Sequence, residues 1–380
     1  MEKKRYKITL KPITAIHVGT GNELTLLDYK QGNSCFMRFS SDSILQRIAT
    51  TPELFNQFDI ATQRNDMKAI RDFFHKNCVP KEDIQYPKED IQYLCHMTKG
   101  FAAVYENLLK KDPLDNAAIV HEMYRPKGMA TPVIPGSSVK GAIRTAVLNT
   151  LVQKLSDSSY DDLKEEFDKE FHKDKFDKKL SKKLLKNTDA KQDPFRAIQV
   201  SDFTFEPNGC QIVGVLKAIG RRAAPKQMAD IYAEAIKGCL MDTSKESIGS
   251  ISINPGLSEF DDGTTLTIKM QNIIDSCNDF YSNEFDEEYD KFYKDVYEYI
   301  DLVDKLKQII NETSKKQDQF ILRLGRWSQV ESMTLEDFRA PKTPSRKGNQ
   351  MPYGTTRTVF DYNGEYLPMG WCVCTVEEVK

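Results

Sequence analysis

The sequence lacks the features of membrane proteins and of disordered chains. No apolar stretch approaches the roughly 20 residues that a helix needs to span a bilayer, and residues 1–5 lead into a predicted strand without an apolar targeting segment. Hydrophobic residues make up 39% of the chain, which is too apolar for an intrinsically disordered protein. We therefore expect a folded, soluble, cytoplasmic protein that makes no contact with a membrane.

The sequence also lacks the spacing of a metal site. None of the eight cysteines forms a CxxC pair. Neither Cys95–His96 nor Cys372–Cys374 has a second pair of ligands with the spacing of a tetrahedral zinc site. No cluster of carboxylates has the spacing of a two-metal centre. The sequence therefore predicts reduced core cysteines, no metal and no cofactor.

A large excess of charge of one sign is absent as well. The 54 Lys and Arg residues are balanced by 56 Asp and Glu residues, and the net charge of −2 argues against nucleic-acid binding over the whole surface. The charges are nevertheless segregated, because residues 279–304 are acidic while two segments are basic. The basic segments contain Lys217, Arg221, Arg222 and Lys226, and then Arg339, Lys342, Arg346, Lys347 and Arg357. Such segregation is typical of a protein with one nucleic-acid face, although a charge run is more often a solvated surface.

The hydrophobic pattern mixes strand and helix periods. Alternation over residues 6–10 predicts an opening strand, and residues 138–155 predict an amphipathic helix that Ser137 or Ser138 caps. Residues 65–77 also have helical spacing. A glycine-containing turn at 207–209 favours a hairpin between strands 197–205 and 211–219.

The remaining segments complete an α+β fold in which the strands carry long helical insertions. Residues 229–240 fit either a helix or a strand. Residues 266–313 form a second helical block, and residues 320–324 and 371–376 are late strands. We expect two parts, 1–260 with insertions at about 40–130 and 156–192, and a smaller part at 261–380. The heptapeptide PKEDIQY occurs twice in tandem at 80–93, which indicates a surface loop that tolerates extra length.

The most informative segment is residues 134–144, which read IPGSSVKGAIR. Pro135 and Gly136 end a strand, and a helix begins at the serines, so its first amides and its positive dipole end offer an anion site. Lys140 and Arg144 share one helix face, and Gly141 leaves room for a sugar-phosphate backbone. The alternative is a capped helix with two surface cations.

Two other phosphate motifs are excluded. Ala142 and Ile143 stand where a P-loop requires Lys and Ser or Thr. Leu24 stands where the dinucleotide fingerprint that Gly19 and Gly21 begin requires its third glycine. The segment therefore does not predict nucleotide hydrolysis.

The Pro-Gly-Ser-Ser, Lys-Gly and Arg of this segment resemble the signature of the RAMP superfamily, the RRM-like subunits of CRISPR effector complexes. Further segments agree in order along the chain. They are the His-Val-Gly-x-Gly turn at 16–21, residues 193–202 after the central helix, the glycine turn at 324–327, and the signature at 356–357 and 367–371. The combination most resembles the subunit that caps the crRNA 3′ end in type III-A (Csm) complexes.

The resemblance implies a ferredoxin-like (RRM-like) core and favours a strand for residues 229–240. It implies a non-catalytic subunit that binds crRNA, supports its maturation and contacts target RNA in the assembled complex. Its protein partners would be other RAMP backbone subunits, the small helical subunit and host nucleases. The expected RNA contacts are His17, Gly19, Gly21, Gly136, Ser137, Ser138, Lys140, Gly141, Arg144, Arg221, Arg222, Arg326 and Arg357. Because the aromatic stacking signature of ordinary RRM domains is not evident, backbone contact is expected rather than base readout.

Other roles remain open at this stage. His17 is the candidate base if the chain is a metal-independent RAMP endoribonuclease that processes precursor crRNA, whereas a histidine at an apolar strand end is more often structural. Asp28 is considered because an early-loop aspartate cleaves target RNA in the related backbone subunit, and Asp202 is expected to be a turn or capping residue. Trp327 either stacks on a base beside Arg326 or belongs to the core. A protein scaffold that recruits nucleases through the acidic helical block is the third hypothesis.

Overall fold

The computed structural model describes residues 2–32, 35–63, 65–77, 90–114, 119–170, 176–186, 190–220, 223–241, 245–257, 268–296, 299–339, 354, 356–362 and 364–379. Its helices in chain order are α1 (Ser41–Thr50), α2 (Pro52–Gln63), α3 (Met67–Asn77), α4 (Lys99–Leu108), α5 (Gly136–Gln153), α6 (Asp157–Glu170), α7 (Phe176–Leu184), α8 (Met270–Glu288) and α9 (Ile300–Thr313). Its strands are β1 (Lys4–Pro12), β2 (Gly19–Leu24), β3 (Tyr29–Gln31), β4 (Cys35–Phe39), β5 (Ile91–Met97), β6 (Val120–Met123), β7 (Val133–Ile134), β8 (Ile198–Val200), β9 (Phe203–Thr204), β10 (Cys210–Ile219), β11 (Pro225–Ile236), β12 (Ser247–Ile253), β13 (Gln319–Arg323), β14 (Thr356–Tyr362), β15 (Glu365–Pro368) and β16 (Trp371–Val379).

The first and last strands of the chain lie side by side in a five-stranded sheet, sheet A. Its order is β13-β16-β1-β12-β8, and all of its pairings are antiparallel. Tyr6, Ile8 and Leu10 of β1 are buried while Lys7 and Thr9 are partly exposed, which confirms the predicted opening strand. Helices α5 and α8 pack against each other and against this sheet.

The resulting architecture confirms the α+β prediction. Strands from both sides of residue 260 pair in sheet A, and the boundary itself lies outside the described residues. The division into parts 1–260 and 261–380 stays a prediction.

A second sheet, sheet B, contains nine strands, with the order β2-β6-β11-β10-β5-β4-β3 and with β14 and β15 attached through β10. Its centre is the hairpin of β10 and β11, which pair from Cys210↔Ile236 to Ala218↔Pro225. The strand that the family resemblance implied for residues 229–240 is confirmed as far as Ile236, where β11 ends; residues 237–240 are not in a strand. Arg221 and Arg222, between the two strands, lie outside the described residues.

The hairpin predicted across residues 207–209 is wrong. These residues form a short 3-10 turn, and the strands before it pair elsewhere, β8 with β12 and β9 with β7. Turn residues predict where the chain bends, but they do not predict which strands pair. Here the strands that pair with β8 and β9 are distant in sequence.

Helices α1 to α3 form a satellite unit against β4 and β5. Its small core contains Phe39, Ile44, Phe73 and Phe74, and α3 confirms the helix predicted at 65–77. Of the tandem heptapeptides, residues 80–89 lie outside the described part, but residues 91–93 open β5, where Ile91 and Tyr93 are buried. The surface-loop interpretation is therefore wrong for that end of the repeat. None of the helices in the described ranges is both long and apolar enough to cross a membrane.

Candidate nucleic-acid interface

Three turns meet at one end of sheet A, where β1 and β13 end and β16 begins. The N–H of Arg326 donates to the carbonyl oxygen of His17 at 2.8 Å, and the N–H of Gly370 donates to Ala15 at 2.8 Å. The N–H of Leu324 donates to Gly370 at 2.8 Å. Three sequence motifs that lie far apart in the chain thus meet at one place. We call residues 15–21, 324–327 and 369–371 the turn site.

Glycine is required where these turns touch. Gly325 has a φ of +86°, and a Cβ there would collide with the carbonyl oxygen of His17. Beyond it, Trp327 and Gln329 have φ values of 64° and 68°, which are uncommon for residues other than glycine. Backbone strain of this kind is concentrated at functional sites.

His17 lies below the turn site and is 1% exposed. Its Nδ1 lies 2.6 Å from the carbonyl oxygen of Glu234, so Nδ1 carries the hydrogen and donates it. Burial lowers the pKa of His17 to about 4, and the ring is therefore neutral near pH 7. Its Nε2 has no partner among the described residues, and a Cβ on Gly19 would lie 2.7 Å from this atom. His17 and Gly19 are thus packed on each other, and Gly21 adopts a φ of +89° where the register of β2 shifts between Gly19 and Glu23.

A buried ion pair supports this turn. The Glu234 carboxylate is 0% exposed and accepts hydrogen bonds from Arg125 at 2.8 Å and Tyr93 at 3.1 Å. It also accepts the N–H of Met123 at 2.9 Å. Because these residues come from β5, β6, β11 and the segment after β6, the network fixes the strands on which His17 rests.

Arg326, Trp327 and His121 cover the outside of the turn site. Arg326 is exposed, and its guanidinium carbon lies 4.8 Å from the centre of the half-buried Trp327 ring. Its Nη1 lies 3.3 Å from Nδ1 of His121, and the Trp327 and His17 rings are 5.1 Å apart. Burial and the nearby Arg326 lower the pKa of His121, so a neutral His121 accepts the Arg326 hydrogen.

The start of the α5 face, which we define as residues 136–144, differs from the predicted start of this helix. Helix α5 begins at Gly136 after Pro135, without a side-chain cap, so the prediction of a serine cap is wrong. The Asp202 carboxylate accepts the Gly136 N–H at 2.7 Å instead, which agrees with the capping role expected of Asp202. A Cβ on Gly136 would collide with the carbonyl oxygen of Val200, so this glycine serves packing between backbones.

The two cations of the α5 face differ in their partners. Arg144 pairs with Asp193 at 2.8 Å, donates to Ser181 at 2.8 Å and lies over the Phe195 ring. Lys140 has no hydrogen-bond or ion-pair partner within the described ranges, and burial lowers its pKa although Asp193 opposes this. Ser137 and Gly141 are exposed, Ser138 is half-buried, and a Cβ on Gly141 would meet no atom within 4 Å.

Arg357 lies inside the molecule. Its side chain is 2% exposed, pairs with Glu331 at 2.9 Å and Glu288 at 3.5 Å, and covers the Phe292 ring. Glu288 also pairs with Arg323, so this buried cluster connects β13 of sheet A with β14 of sheet B. A guanidinium in this position is not available at the surface.

Asp28 closes a local turn. Its carboxylate accepts hydrogen bonds from the N–H and the hydroxyl of Thr25, both at 2.9 Å. Arg38 lies 3.3 Å from its other oxygen. The carboxylate is thus occupied by its own turn and by β4.

Residues 9–330 match the family model described as the RAMP superfamily. The chain belongs to the RAMP superfamily. Its fold is similar to a chain of a Csm–crRNA–target RNA ternary complex of a type III-A CRISPR–Cas system solved by cryo-EM, with a TM-score of 0.65 and 18% identity over 99% of this chain and 100% of that chain. It is also similar to Csm5 of T. onnurineus, with a TM-score of 0.59 and 17% identity over 96% of this chain and 99% of that chain. No curated protein sequence matches the chain.

Sequence reasoning found much of the turn site of this RAMP protein and missed His121. The structure brings His17, Gly19 and Arg326 together. The strand that leads into α5 is joined to the same turn through Tyr124, whose N–H donates to Val18 and whose carbonyl oxygen accepts the N–H of Val133. His121 was missed because nothing local in β6 connects it with residue 326. Within the ranges that the structure describes, no group of three or more His, Cys, Asp or Glu side chains is arranged to hold a metal ion.

Proposed function

We propose that this RAMP protein is a non-catalytic crRNA-binding and assembly subunit of a type III-A CRISPR–Cas complex, where it holds the 3′ portion of crRNA and supports its maturation. The observation that carries the proposal is the turn site, where three family motifs meet and leave the Arg326 guanidinium exposed. The similarity over the full length of a chain from a Csm–crRNA–target RNA complex supports it. Its setting would be the cytoplasm, and its partners crRNA, target RNA, other RAMP subunits, the small helical subunit and recruited host nucleases.

The proposed contacts are to the sugar-phosphate backbone. Arg326 at the turn site and Lys140 on the α5 face lack carboxylate partners in the described structure, while Ser137 and Gly141 are exposed beside Lys140. Arg221 and Arg222, which lie outside the described residues, stay predicted RNA contacts. Contacts of this kind hold RNA without reading its sequence. Because Arg144 and Arg357 have internal partners, we assign them to the support of the fold.

The geometry favours binding over cleavage. A general base must reach the hydroxyl whose proton it takes, but His17 donates through Nδ1 and its Nε2 is buried against Gly19. Asp28 is engaged by Thr25 and Arg38. The alternative function is processing of precursor crRNA by this chain, and it requires His17 to become accessible.

The test is purification of the complex through a tag on this chain, followed by sequencing of the bound RNA. The double variant Lys140→Glu and Arg326→Glu should lower crRNA recovery and leave irregular 3′ ends with unchanged 5′ ends. Wild-type binding should weaken steeply with added salt, because phosphate contacts release counterions. The double variant Lys305→Glu and Lys315→Glu, which makes the same charge change at two other exposed positions, is the matched control and should recover crRNA normally.

Two results would contradict this function. Purification of wild-type protein without crRNA and without other RAMP subunits would exclude the assembly role. Cleavage of precursor crRNA by the purified chain, lost in His17→Asn, would replace the binding role with the endoribonuclease alternative. Asn keeps a donor for the Glu234 carbonyl, so loss of cleavage would not simply reflect loss of that contact.

A further inference from the structure

The outer surface of the turn site contains a planar cation held against an aromatic ring. The Arg326 guanidinium lies over the Trp327 indole at 4.8 Å from its centre. Within the described part of the chain, its one side-chain hydrogen-bond partner is His121, and no carboxylate pairs with it. A surface Arg without a carboxylate is normally free to move, but this one is held by the ring and by His121.

The backbone shows that this placement is imposed by the fold. Trp327 has a φ of 64°, and the preceding Gly325 and Arg326 are fixed to His17 through packing and a 2.8 Å hydrogen bond. The indole is further held at 5.1 Å from the His17 ring and 5.9 Å from the His121 ring. The strained turn therefore presents Arg326 and Trp327 as one preorganised unit.

Such a unit has a defined chemistry in RNA recognition. Unpaired bases stack on aromatic rings and on the planes of guanidinium groups, and the stacking tolerates any base because every base has a π face. The edge of the guanidinium remains able to contact phosphate. An ion pair with a carboxylate would compete with stacking, but within the described residues Arg326 forms none. The Glu23 carboxylate lies 3.9 Å from Nδ1 of His121.

We propose that the Arg326–Trp327 pair is a stacking platform for one unpaired base of the bound RNA. This inference rests on the proposed function, because it concerns the RNA that the subunit holds. It adds a base contact to the backbone contacts proposed above, and it assigns the face of the guanidinium to stacking.

Tryptophan fluorescence makes the platform directly testable. The chain has two tryptophans, and Trp371 is 1% exposed in the core, so only Trp327 can contact RNA. Addition of an unstructured oligouridylate to the full-length chain should quench part of the tryptophan fluorescence. In Trp327→Leu the quench should disappear and the Kd, measured by anisotropy of labelled RNA, should rise roughly tenfold, because Leu has no stacking face.

A substitution at Arg326 distinguishes base stacking from simple charge attraction. Arg326→Lys keeps the positive charge but removes the planar face, so the Kd should rise roughly tenfold with little change in its salt dependence. Lys305→Arg, an exchange between the same two residue types at an exposed position of α9, is the control and should leave the Kd unchanged.

The outcomes distinguish this inference from the function on which it rests. If the wild-type chain binds RNA without quenching, or if Arg326→Lys binds as tightly as wild type, the platform is excluded while the RNA-binding function stands. If neither the chain nor the assembled complex binds RNA, the proposed function fails and the platform fails with it. Thermal melting of both variants confirms that they are folded.

Discussion

The turn site and the α5 face both place an arginine near a glycine, but the two arginines have different surroundings. Arg326 follows Gly325, is exposed and pairs with no described carboxylate. Arg144 follows Gly141 by one helical turn and is held by Asp193 and Ser181. On the α5 face, which has two basic residues, the charge of Arg144 is thus neutralised by Asp193. At the turn site the charge of Arg326 remains available to bind RNA.

The glycines differ in the same way. Gly325 has a positive φ and touches the His17 carbonyl, so packing requires it. Gly141 has a helical conformation in α5 and open space around it. A motif glycine can therefore either be required by packing or keep a surface clear, and only its neighbours in the fold distinguish the two roles.

The largest expected effect concerns the support of the turn site. Glu234→Gln leaves Arg125 as an unpaired buried charge, and we expect the free energy of unfolding to fall by about 3–5 kcal/mol. Asp193→Asn on the α5 side, where the ion pair is partly exposed, should cost less, about 1 kcal/mol. Urea denaturation measures the free energy of unfolding of both variants. Equal losses would show that the two ion pairs stabilise the protein equally.

Alanine at the two glycines should move stability in opposite directions. Gly325→Ala adds a Cβ to a left-handed residue that touches His17, so we expect a loss of about 2–4 kcal/mol. Gly141→Ala replaces a helical glycine without a collision and should stabilise the protein by about 0.5–1 kcal/mol. If Gly141 keeps the surface clear for RNA, the stabilised variant should also retain less crRNA. Normal retention would leave Gly141 without a role in binding.

The buried His17 should make stability depend on pH. Its pKa is about 4 in the folded protein and near 6.5 when unfolded. The unfolded chain therefore binds more protons between these values, and stability falls as the pH decreases from 6.5 towards 4. Between pH 6.5 and 5 we expect a loss of about 2 kcal/mol relative to the His17→Asn variant. If the free energies of unfolding of the wild type and of His17→Asn change equally with pH, His17 is not buried in the folded protein.

The smallest changes in stability separate the two arginines. Arg144→Gln should lower the free energy of unfolding by about 1 kcal/mol and change RNA affinity little, because its ion pair is partly exposed. Arg326→Gln should leave stability nearly unchanged and weaken RNA binding. A reversed pattern would make Arg144, and not Arg326, the arginine that contacts RNA.

Sequence reasoning reached the elements whose signals are local. The alternation of Tyr6, Ile8 and Leu10 was sufficient for β1, and the family resemblance resolved β11, where propensity alone was ambiguous. The hairpin at 207–209 was wrong because the partners of β8 and β9 come from distant segments. The serine cap was wrong because Asp202, also distant in sequence, takes the Gly136 N–H.

By itself the sequence determined the family motifs, the α+β class and the positions of the glycines and basic residues, because these follow from residue type and short-range spacing. Only the tertiary structure decided which of them act together. It placed His121 beside Arg326, neutralised Arg144 with Asp193 and buried Arg357 against Glu331. The physical reason is that the accessibility of a charge depends on its partners and its burial, and both are set by strands and helices that meet only in the folded chain.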